Sequence, residues 1–149
     1  MFTTMVLGVD GSAESARAVE VTGALAKALH ARVVVVHVLP DPALALPVVP
    51  AVEAVAPPVI PSETLAELQR AGQAILAQAA AVLQRHGTRH ETRLAQGAPG
   101  DELVRVARET QADLLVVGSR GHGRLEEVLL GSVSDAVSRT APCSVLIVR

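Results

Sequence analysis

Of the chain's 149 residues, half are apolar and 19% are charged, enough for a sizeable core and too apolar for a disordered chain. Net charge is −2, there is no run of Lys or Arg, and Phe2 is the only aromatic residue, so no nucleic-acid or anionic-membrane partner is expected. Cys143 stands alone, which excludes an internal disulfide and a cysteine-based metal site.

The first residues, MFTTMVLGVDGS, have no basic region leading into a long apolar stretch, so no secretory signal is read there. Residues 4–9 form a short β-rich run closed by the turn signal Asp10-Gly11. Ser12 is placed to cap a helix through Leu29, with Val19, Thr22, Leu25, Ala26 and Leu29 on one face. Residues 32–39 contain four consecutive valines, as suits a parallel strand buried on both sides.

Residues 40–61 hold seven of the nine prolines and predict a surface loop, read first as packed down on the domain and alternatively as part of a lid or a partner contact. The apolar stretch 44–60 within it is broken by prolines and Glu53, so it would not span a membrane, and a cytoplasmic protein is expected. Ser62 is read as the cap of a helix with Leu65, Leu68, Gly72, Ile75, Leu76, Ala79 and Leu83 on its apolar face, stopped by Gly87. An alternating strand over 91–96, nearer an edge, precedes Gly97-Ala98-Pro99-Gly100. That turn opens a helix with Leu103, Val106, Ala107 and Thr110 inward. Residues 114–117 form a second fully apolar strand. A helix from Ser132 carries Val133, Ala136, Val137 and Thr140, Pro142 stops it, and 144–148 is the last strand. Strands alternating with helices predict a single α/β domain over 1–149, a three-layer sandwich of five parallel strands with helices on both faces.

Ligands of open parallel sheets bind beyond the strand carboxyl ends, where the winding reverses. Three such ends carry suggestive groups: Asp10, the pair His37-Val38, and Gly118. They converge if the first and fourth strands are neighbours. After the fourth strand comes Gly118-Ser119-Arg120-Gly121, nine further residues, then Gly131-Ser132 at a helix start. A glycine loop between a strand and a helix amino terminus turns several backbone N–H groups to one point, which suits an anion such as phosphate. No Walker motif, no G-x-G-x-x-G fingerprint and no G-x-S-x-G nucleophile elbow occurs.

These segments resemble the universal stress proteins, in their nucleotide-binding branch. The resemblance rests on MVLGVDGSAESARAVE, His37-Val38, Gly97-Ala98-Pro99-Gly100, the closing GSVSDAVSRTAPCSVLIVR, and the fixed positions of G-x2-G-x9-G-[ST]. It implies a Rossmann-like sheet of order 3-2-1-4-5, of the adenine nucleotide alpha hydrolase-like kind, and an ATP site. By the same resemblance, Asp10 lies near adenine and ribose and the Val38 backbone contacts adenine. Gly118 and Gly121 admit the ribose and phosphates, and Gly131, Ser132, Val133 and Ser134 bind phosphate through amides and hydroxyls.

A divalent ion, Mg2+ or Mn2+, is expected on the phosphates, and the resemblance also points to a homodimer, with the last strand at a sheet edge. The function so implied is a stress-response regulator or sensor. A slow ATPase or nucleotidyl-transfer enzyme and a ligand-free dimeric interaction protein are the alternatives; without a Walker lysine or an evident base, at most weak hydrolysis is expected. Plainer readings stand beside these. Asp10 also suits a turn or cap, and Arg120 and Arg124 screen phosphate or do nothing. His122 is a solvated loop residue, His37 a hydrogen-bonded core residue, and Cys143 a small buried apolar group. His86 and His90 lack metal spacing.

Overall fold

The computed structural model describes residues 1–41, 62–120 and 130–149, with the backbone alone at Ser62 and Glu63. The elements are β1 (Thr4–Gly8), α1 (Ala13–Leu29), β2 (Arg32–Leu39), α2 (Ser62–His86), β3 (Arg89–Gln96), α3 (Pro99–Glu109), β4 (Leu114–Gly118), α4 (Ser132–Thr140) and β5 (Ser144–Val148). The proline-rich loop expected over 40–61 lies outside the described residues from 42 onward, and so does the apolar stretch 44–60.

All five strands are parallel, in the order β3-β2-β1-β4-β5. The three central strands β2, β1 and β4 are buried, and their side chains alternate with period two, so alternate residues build two cores. Met5, Leu7, Val33, Val35, Leu114 and Val116 face α1 and α2, where Ala18, Val19, Leu76 and Leu83 close over them. Val6, Val34, Val36, Leu115 and Val117 face α3 and α4, where Leu103, Val106 and Val137 do the same. With almost no aromatics, the cores rely on branched aliphatic side chains, each worth about 1.5–3 kcal/mol when fully buried. Glycines let the layers close up. A Cβ on Gly100 of α3 would come within 2.9 Å of the Ala136 Cβ on α4.

The chain winds outward from β1 through β2 to β3, then returns to β4 beside β1, with Leu7 in register with both Val35 and Val116. The switch point therefore lies between β1 and β4, and the three suggestive strand ends meet there. Some boundaries move. β1 stops at Gly8, although the Val9 amide still donates to the Val36 carbonyl at 2.9 Å, and β3 begins at Arg89. Thr140 is exposed; it lies at the last turn of α4 and its hydroxyl donates to the Ala136 carbonyl. Cys143 is half-buried against the α3/α4 core, and burial pushes its thiol pKa up. No described helix is long and apolar enough to cross a membrane.

Candidate functional site

Beyond the carboxyl ends of β1, β2 and β4 lies a cleft of about 390 Å³. Asp10, Val38, Gly118, Gly131, Ser132, Val133 and Ser134 all line it. Gly121, the remaining residue expected there, lies outside the described residues, as do His122 and Arg124. Val9, Val36, Leu103, Val117 and Leu130 give the cleft apolar walls. Among the described lining residues, Asp10 is the one carboxylate and Arg120 the one permanent cation.

The β1 side of the cleft is organised by short-range hydrogen bonds. The Asp10 carboxylate accepts from the Ser12 amide at 2.9 Å, a turn in which the side chain mimics a backbone carbonyl. Gly11 takes φ +81°, a left-handed conformation that favours glycine. Ser12 caps α1, its hydroxyl accepting from the Ser15 amide at 3.2 Å, and the Ser15 hydroxyl donates to the Ser12 carbonyl. Asp10 is thus a turn residue and a cleft residue together. His37 is half-buried, with Nδ1 2.8 Å from the Val9 carbonyl. A carbonyl can only accept, so that contact makes Nδ1 the donor. The expected hydrogen-bonded histidine is there, and it also lines the cleft.

The β4 side is organised by longer-range bonds. The Ser119 amide donates to the Val148 carbonyl at 2.7 Å, and the Ser119 carbonyl accepts from the Gly131 amide at 2.7 Å. The Ser134 hydroxyl, 99% buried, lies 2.9 Å from the carbonyls of Ser119 and Gly131. These bonds tie the two ends of the glycine loop together. They also hold the one hydroxyl proton of Ser134, which the resemblance had assigned to a phosphate.

The start of α4 differs from that of α1. Its cap residue, Gly131, supplies no side-chain hydrogen bond, and the first amide to find a helical carbonyl is that of Asp135, on Gly131 at 2.9 Å. The amides of Ser132, Val133 and Ser134 precede that first bond, at the positive end of the helix dipole, and Arg120 lines the same cleft. The cleft therefore runs from a carboxylate, through an apolar middle, to a helix amino terminus.

Gly118 has a second reason to be glycine. A Cβ there would approach the Glu14 carbonyl carbon and the Ser15 nitrogen to 3.0 Å, so the backbone of α1 occupies the space. Sequence reasoning gave this glycine to the ligand; the fold requires it regardless. Ser15, Pro99, Leu103 and Leu130 line the cleft as well, without a motif in the sequence to mark them. Pro99 and Leu103 reach the cleft through the crossover of α3, and no local pattern marks that.

The model of the universal stress protein family matches residues 1–149. The chain belongs to the universal stress protein family. Universal stress protein YxiE of Bacillus subtilis is 36% identical over 149 residues, with the full length of both chains covered. A universal stress protein solved in complex with cAMP is 33% identical, with 99% of this chain and 97% of that one covered and a TM-score of 0.70. The hypothetical protein MJ0577, 21% identical with a TM-score of 0.81 and 99% and 96% covered, shares the family's fold.

Proposed function

We propose that this universal stress protein binds an adenine nucleotide in the β1/β4 cleft, with ATP as its working ligand, and acts as a stress-response regulator or sensor. One observation carries the reading. A helix start without a side-chain cap shares an apolar cleft with Arg120, Asp10 and Val38 at the switch point of the sheet. Asp10 accepts from the ribose hydroxyls, and the Val38 backbone meets the adenine edge. Gly118 and Gly121 admit the ribose and phosphates, and the amides of Ser132, Val133 and Ser134 donate to phosphate oxygens. The relative solved with cAMP supports an adenine nucleotide in general.

A divalent ion would ride on the phosphate oxygens. The described residues bring no three His, Cys, Asp or Glu side chains together for one, and no contact above depends on it.

Titration calorimetry with ATP, ADP and AMP tests the reading, using Ser132→Pro and Ser132→Ala. Proline at the first helical position removes one amide and keeps the helix, and Gly131 already has the extended backbone a following proline needs. Alanine removes only the hydroxyl. Affinity lost in the proline variant and kept in the alanine variant is the expected outcome. No saturable binding of any of the three nucleotides overturns it.

A homodimer through Ser144–Val148 completes the proposal. Among the described residues β5 is an edge strand, and its Val145, Leu146 and Ile147 are half-buried on alternate faces, an apolar edge suited to pairing with its own copy. Sedimentation equilibrium showing a monomer at micromolar concentration would exclude it.

A further inference from the structure

The end of the sheet opposite the cleft carries a feature that no run in the sequence announces. The last turns of α1 and α2 and the start of β3 meet around a groove of about 580 Å³, lined by Lys27, His30, Arg85, His86 and Arg89. These five residues come from two stretches of sequence, 27–30 and 85–89, and are gathered where the ends of α1 and α2 meet. Glu20, outside the groove lining, pairs with two of them, its oxygens 3.4 Å from Arg85 and 2.8 Å from His86. Those two partners hold the Glu20 carboxyl below its usual range, His86 first. Lys27 has no ion pair among the described residues. Arg89 reaches no carboxylate there either; its guanidinium donates to the His30 carbonyl at 3.4 Å.

Cations in the last turn of a helix complement its dipole, and that accounts for Lys27 and Arg85 singly. It does not account for Arg89, which starts a strand, or for the groove that all of them line. The walls between the cations are small and apolar, from Ala26, Ala31 and Gly87.

We propose that this groove is a docking surface for an acidic segment of a partner polypeptide. Extended carboxylate side chains would reach Lys27 and Arg89 while the peptide backbone lies over the small residues between them. A nucleic acid is disfavoured because Arg85 and His86 already face Glu20, which leaves Lys27 and Arg89 as the lysine and arginine of the groove without a carboxylate among the described residues, enough for a short acidic segment and too few to follow a phosphate backbone. An anionic membrane is disfavoured by the concave surface, which a flat layer of headgroups would bridge rather than fill.

The probe is a fluorescein-labelled peptide of ten alternating Glu and Ala residues, titrated by fluorescence anisotropy against the full chain at low ionic strength. Saturable binding that weakens with added salt is expected. Reversing one charge at the groove, in Lys27→Glu or Arg89→Glu, weakens it roughly tenfold. Arg70→Glu, the same charge change elsewhere on exposed α2, leaves it within about twofold. Circular dichroism and nucleotide titration on each variant confirm an intact fold. The proposal is overturned by absence of binding, by equal loss in all three variants, or by tighter binding of a duplex oligonucleotide or of phosphatidylserine vesicles. The groove stands apart from the cleft, so its failure leaves the nucleotide reading untouched.

Discussion

The starts of α1 and α4 follow the two central strands, β1 and β4, and both face the same cleft, yet they treat their exposed amides in opposite ways. At α1, the Ser12 hydroxyl takes the Ser15 amide and Asp10 takes the Ser12 amide, so two donors are answered by the neighbouring turn. At α4, Gly131 offers no side-chain cap, and the bonds around it hold the loop ends together instead. A third cluster of donors lies at the start of β1, where Asp113 accepts from the Thr3 amide and hydroxyl at 2.8 Å and the Thr4 amide at 3.0 Å. Donors answered from within stabilise the fold, while donors left to solvent are available to a ligand.

The largest test of this contrast is Gly118→Val. Its added carbons would meet the backbone of α1's first turn, which cannot move aside as a side-chain end can. A loss of about 3 kcal/mol in denaturant unfolding is expected, with or without nucleotide. A variant as stable as the parent would show that Gly118 serves the ligand alone.

Next is Ser132→Pro, which removes a donor at the open helix start. A charge-assisted hydrogen bond is worth about 1.5–3 kcal/mol, so ATP affinity should fall tenfold or more in calorimetry. Its thermal midpoint without nucleotide should stay within about 2 °C of the parent, since no native bond is lost. An unchanged affinity would place the phosphates elsewhere.

Ser12→Ala should show the reverse. Losing the cap costs about 1 kcal/mol of stability by chemical denaturation, with nucleotide affinity within roughly twofold. A large loss of affinity with no loss of stability would mean that the two helix starts have exchanged roles.

The smallest effect is at Asp113. Its three hydrogen bonds, those from Thr3 first, hold its carboxyl at about 2, below the ordinary 3.8. The folded state therefore favours the ionised form. That contribution is complete above pH 3.8 and is lost as pH falls through about 2. Acid titration followed by circular dichroism should show Asp113→Asn losing this part of the pH dependence. Parallel curves for the two proteins would remove Asp113 from the comparison.

Much of the fold was legible because its signals are local. Ser12 with the helix after it, the valines of β2, the apolar run of β4 and Pro142 each declare an element within a few residues. The site was legible in outline, since Asp10, Val38 and Gly131 stand at element ends. Less legible was what each group does once neighbours surround it. Ser134 reads as a phosphate ligand and ties the loop with its hydroxyl, and Gly118 reads as room for ribose and is room for α1. Leu103 and Pro99 join the cleft only through the α3 crossover.

By itself the sequence determined which segments are strand, helix and turn, because period and capping act over a few residues. It also marked the family and the cleft's two polar ends. Only the tertiary structure decided that β1 lies beside β4, which amides find partners, and that Lys27, Arg85 and Arg89 share one groove. Hydrogen-bond satisfaction and charge density depend on distances in space, and the crossovers that set those distances leave no periodic trace along the chain.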